Sequence, residues 1–81
     1  MFSKILNVND FILREDGYYI ATILGTTHGL KGNLIVEKVN AAGSGGYNEN
    51  VEFSYTYNGV THDVEICVEV PGTYRIVLNK A

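Results

Sequence analysis

Val51-Glu52-Phe53-Ser54-Tyr55-Thr56-Tyr57-Asn58-Gly59 is the stretch whose reading decides the fold. Val51, Phe53, Tyr55 and Tyr57 alternate with Glu52, Ser54 and Thr56, the two-residue period of a strand with one face in a core and one in water. Asn58-Gly59 follows at once, and Asn-Gly between alternating runs signals a hairpin, because a type I′ turn needs positive φ at both central positions. A two-residue turn there sets Tyr57 against Val60, Tyr55 against His62, Phe53 against Val64 and Val51 against Ile66. It also puts Glu52 opposite Glu65, a like-charge pair that costs a few tenths of a kcal/mol.

The next turn holds Pro71-Gly72, and the apolar pattern selects its length. A loop of Pro71-Gly72-Thr73 keeps Tyr74, Ile76 and Leu78 on the face of Val70, Val68 and Ile66, whereas a two-residue loop flips all three. The reading is a three-stranded antiparallel meander with strands at 51–57, 60–70 and 74–79. It brings Glu69 opposite Arg75 as a cross-strand ion pair.

Upstream, Phe2-Ser3-Lys4-Ile5-Leu6 reads as a short strand, or as an extended arm (1–9) that docks on a neighbour. Phe11–Arg14 reads as a second strand, stopped by Glu15-Asp16-Gly17. Tyr18–Leu24 has Tyr18, Ile20, Thr22 and Leu24 on one side and Tyr19, Ala21 and Ile23 on the other. Both sides are largely apolar, which predicts cover on both faces. Gly25–Gly32 is a connection, and Asn33–Val39 a strand with Leu34 and Val36 facing opposite to Ile35 and Val39. Ala41–Gly46 is a glycine-rich tip. No window shows caps around a 3.6-residue apolar period, so no helix is expected. About six or seven short strands with turns between them predict one all-β domain over 1–81, a small antiparallel β-sandwich or partly open barrel.

At 81 residues the chain is near the lower limit for a single unstapled core, so self-association would add burial. The formal charge is −3 and the six Lys and Arg are scattered, which excludes the concentrated positive footprint that nucleic acid requires. No stretch is long enough to span a membrane and the N-terminus has no signal-type apolar run. Synthesis in the cytoplasm without a signal peptide is expected.

The residues give no site for a metal, a cofactor or catalysis. His28 and His62 lack a second ligand at metal spacing, and His62 is expected to pack across Tyr55. Cys67, the lone cysteine, lies between Glu65 and Glu69, which disfavour a thiolate; a second sheet is expected to cover it. Glu52, Asp63, Glu65 and Glu69 read as a solvated acidic face. Gly43-Ser44-Gly45-Gly46 lacks the Lys-Ser/Thr and the helix of a phosphate loop. The chain reads as a non-enzyme. Six tyrosines without tryptophan suit contact surfaces, since tyrosine presents amphipathic area at low entropy cost. Candidate interface or ligand contacts are Phe2, Ile5, Tyr18, Tyr19, His28, Leu30, Tyr47 and Tyr74.

Thr27-His28-Gly29-Leu30, a polar turn leading into the strand at Leu34–Val39, is followed by a glycine-containing tip and a closing strand at Arg75-Ile76-Val77-Leu78. In this the chain resembles small all-β modules of tailed-bacteriophage virion proteins, the terminal domains of tail or head fibres and capsid decoration proteins. It departs from them in the long Ala41–Asn50 segment and an extra meander strand. The resemblance implies a virion location, other virion proteins as partners, a homo-oligomer with a trimer favoured over a dimer, and no catalysis. A stand-alone carbohydrate-binding or adhesive module is the alternative expectation.

Overall fold

Alternating sequence becomes two sheets. The computed structural model describes residues 1–43 and 45–80. Among them the strands are β1 (Phe2–Leu6), β2 (Ile12–Leu13), β3 (Tyr19–Ile23), β4 (Leu34–Gly43), β5 (Gly46–Asn50), β6 (Ser54–Tyr57), β7 (Val64–Val68) and β8 (Tyr74–Lys80). One sheet has the order β1-β8-β4-β5 and the other β2-β3-β7-β6, with every neighbouring pair antiparallel. The sheets are not closed into a barrel, an arrangement that fits the small antiparallel sandwich. Their facing sides enclose Leu6, Ile23, Val39, Val64, Ile66, Val68, Ile76 and Leu78, each at most 2 % exposed. Burying a side chain of this size stabilises by about 1.5–3 kcal/mol, so these eight dominate the fold.

The meander does not form as a single sheet. β6 and β7 pair, but β8 lies in the other sheet between β1 and β4. Ile66 and Val68 therefore share the core with Ile76 and Leu78 from the opposite sheet, and the expected Glu69–Arg75 pair is replaced by Arg75 opposite Ile5 and Asn40. Chain segment 69–73 carries the crossover. Pro71 there lacks an N–H for a ladder, and the Tyr74 hydroxyl donates to the Val70 carbonyl. The Tyr74 ring lies against Gly72, where a Cβ would come within 2.9 Å of the ring.

The first hairpin is also wider than a two-residue turn. Tyr57 faces Val64, not Val60, and Tyr55 faces Ile66. The Asn58 side chain explains this: its Oδ1 accepts from the N–H of Val60 at 2.8 Å and of Thr61 at 3.1 Å. The His62 N–H then bonds the Asn58 carbonyl at 2.8 Å, with His62 itself at φ 65. The register moves by four residues, from 60 to 64, an even shift that keeps Tyr55, Tyr57, Val64 and Ile66 on one face of the sheet, while Val60 is left exposed in the loop. Thr56, rather than Glu52, faces Glu65.

Elsewhere the structure corrects four details. Gly25–His28 forms a one-turn helix, α1, closed by Gly29 at φ 68, too short for any 3.6-residue period to reveal. A bulge between Val36 and Lys38 in β4 brings Val39 onto the same buried side as Leu34 and Val36, while Ile35 is partly exposed. β3 is fully covered on one face only, with Ala21 and Ile23 buried, Ile20 half-buried and Thr22 exposed. β4 runs on to Gly43 and returns as β5, so most of the glycine-rich tip is strand; Ser44 lies outside the described residues. Phe2–Leu6 is laid along β8 of its own chain.

Candidate functional site

On the outer face of the β2-β3-β7-β6 sheet, the register aligns Ile20, Cys67 and Ser54 in one row. The turn after β2 hangs over that row. The Arg14 N–H bonds the Tyr18 carbonyl at 2.7 Å, the Gly17 N–H bonds the Arg14 carbonyl at 3.0 Å, and Gly17 takes the left-handed φ of 88 that the turn needs. Asp16 accepts from the Tyr18 N–H at 3.1 Å and from the Arg14 guanidinium, with the closest N···O at 2.6 Å. Held this way, Arg14 reaches 3.6 Å from the Cys67 sulfur. Cover for Cys67 thus comes from Arg14 and not from a second sheet.

Arg14, Tyr18, Glu52, Phe53, Ser54, Cys67 and Glu69 line a shallow open groove of about 280 Å³. This is at the small end for a ligand pocket, which runs about 300–1,000 Å³. The hydrogen bond to Arg14, with that from Tyr18 N–H behind it, holds the Asp16 carboxyl below the usual aspartate range, and the same bond raises Arg14. The groove combines two aromatic rings, a guanidinium and two carboxylates around a thiol. It can hold a small polar ligand against a ring; no imidazole lines it to act as a base for Cys67. Sequence reading singled out Tyr18 here but missed Arg14, Ser54 and Phe53. The Glu-Asp-Gly turn was the available signal for Arg14, since such a turn folds its flanking residue back over the sheet.

A second polar group sits at one end of the sandwich. The Leu30 N–H donates to His28 Nδ1 at 2.9 Å, so Nε2 carries the proton and donates to the His62 carbonyl at 2.5 Å. The Tyr57 hydroxyl donates to the Gly32 carbonyl at 2.6 Å, so it accepts from His62 Nδ1, also at 2.6 Å. Asp63 accepts from the Gly25 N–H at 2.8 Å. His62 stacks at a tilt on Tyr57, not Tyr55. Both imidazoles tie loops together, and among the described residues no three His, Cys, Asp or Glu side chains converge as a metal site.

The other candidate contacts divide by position. His28 and Tyr74 are buried in the single chain, the latter edge-on to Phe11. Tyr19 and Leu30 are half-buried against the core. Ile5 and Tyr18 are exposed, at 47 % and 44 %. Phe2 and Tyr47 are half-buried on β1 and β5, the two edges of one sheet. The structure therefore does not gather these residues into one patch. Comparison of the chain with protein-family models, curated proteins and solved structures found no match.

Proposed function

We propose that the chain is a structural protein of a bacteriophage virion that acts by protein–protein contact, on a capsid or in a head or tail fibre. What supports this reading most is the state of the sheet edges. β2 is an edge strand of two residues, and both of them, Ile12 and Leu13, are large apolar side chains 70 % and 60 % exposed. Open edges and exposed apolar side chains are what a contact module offers to a neighbour, and the loose sequence resemblance points the same way. The test is composition of purified phage particles. Peptides of this chain at stoichiometric level in gradient-banded particles support the reading, and a chain confined to the soluble fraction of a lysate sinks it.

The groove beneath Arg14 favours a second reading, a carbohydrate-binding module. Tyr18 and Phe53 supply ring faces there, and Arg14, Glu52 and Glu69 supply hydrogen-bonding groups. Saturable glycan binding that disappears in Tyr18→Ala and Phe53→Ala would favour it over scaffolding.

A further inference from the structure

The two edges of the β1-β8-β4-β5 sheet carry opposite charges in matching places. Lys4 lies opposite the buried Ile76, and Glu49 lies opposite Ala41, which packs against the core. Both side chains therefore leave the backbone on the core side of the sheet, one at each edge, and both are exposed. Among the described residues neither has an ion-pair partner. A charge pointing inward from an edge strand obstructs pairing with another strand. Here each obstructs its own kind, because two β1 edges bring lysines together and two β5 edges bring glutamates together.

We propose that the β5 edge of one copy pairs with the β1 edge of the next. Strand direction allows it: in a four-stranded antiparallel sheet the outer strands run oppositely, so edge-to-edge joining continues the antiparallel order. Ladder phase allows it too. The Val51 N–H donates to the Val39 carbonyl at 3.0 Å. Residues 39 and 51, and with them Ala41 and Glu49, are thus the hydrogen-bonded pairs, and Asn50 turns its backbone N–H and C=O away from β4. Val39 is then not hydrogen-bonded to its β8 partner Ile76, so Ile76 turns its backbone groups to Lys4, and Ser3 turns its own outward.

Ser3 and Ile5 on one edge and Asn50 on the other can therefore exchange backbone hydrogen bonds between copies, and the charges select Ser3 with Asn50. Pairing Ser3 with Asn50 places Lys4 opposite Glu49 and Phe2 opposite Val51; the irregularity in β5 between Glu49 and Gly46 ends the count there. Cation meets anion and apolar meets apolar, with Phe2 and Val51 both half-buried in the single chain. The joint uses two unlike surfaces, so it repeats into a closed ring or an open filament. The inference rests on the contact-module reading and names the partner as a second copy.

Light scattering behind size exclusion, on the full chain at its highest soluble concentration, is expected to show a mass above one chain. Lys4→Glu and Glu49→Lys should each weaken association about tenfold. The double variant Lys4→Glu/Glu49→Lys should restore it, because it exchanges the two signs; far-UV circular dichroism checks that all variants keep their strand content. A monomeric wild type, an oligomer indifferent to both reversals, or a double variant no better than the singles overturns the joint. A monomer that still bands with phage particles removes the joint and leaves the virion reading intact, whereas an assembling chain absent from particles does the reverse.

Discussion

Gly25 shows how much one residue can decide. A Cβ there would lie 2.2 Å from the Thr61 carbonyl oxygen and 2.9 Å from the His62 Cβ, so Gly25→Ala must push the 58–63 loop off α1. We expect a loss of about 1–3 kcal/mol, read as a lower urea midpoint. Asp16 supplies a pH-dependent counterpart. Its carboxyl sits below the ordinary aspartate range, chiefly through the Arg14 hydrogen bond. A depressed pKa means that its stabilisation is complete above the ordinary range and is lost as pH falls through the lower folded value. Carboxyl titration by NMR should show Asp16 protonating at lower pH than an unpaired aspartate, and Arg14→Ala should move it back up. Residue identity alone could not reveal these roles. The two imidazoles were visible in the sequence, but their tautomers depend on which carbonyls and N–H groups the fold brings within reach.

At the scale of elements, the β6–β7 hairpin separates what alternation specifies from what a loop decides. Alternation settles which side chains of the paired strands share a face, and that survives a four-residue shift. The register depends on whether Asn58 sits in a type I′ turn or uses its side chain to open a wider loop, as it does. Val60 and Val64 report the difference. With Val60 at 87 % exposure and Val64 at 1 %, Val60→Ala should stay within about 0.5 kcal/mol, while Val64→Ala should cost about 2 kcal/mol or more. Denaturant unfolding of both variants checks this; a two-residue turn would make Val60 matter. The β4 bulge teaches the same lesson: one extra residue turned Val39 inward, against a strict two-residue count. The groove under Arg14 was likewise hidden because its members come from separate segments that only strand pairing unites.

For the whole molecule, β1 is the test of what counts as the domain. Leu6 is 2 % exposed and sits in the core opposite Tyr74. Leu6→Ala should cost about 2–5 kcal/mol, out of a total of about 4–12 kcal/mol for a chain of this length. A thermal melt should then drop by roughly 10–25 °C, whereas a free arm would leave the melting temperature unchanged. Residue order by itself determined the all-β class, most strand positions, the inward set of β7 and β8 and the absence of a basic footprint. Those follow from local periodicity and composition, which each segment carries alone. Only the tertiary structure decided that β8 leaves the β6–β7 sheet to pair with β1 and β4, that Arg14 covers Cys67, and that Lys4 and Glu49 end on opposite edges of one sheet. Apolar side chains on one strand are satisfied equally by a ladder neighbour or by a facing sheet, because burial is non-directional. The choice between them belongs to the packing of the whole chain.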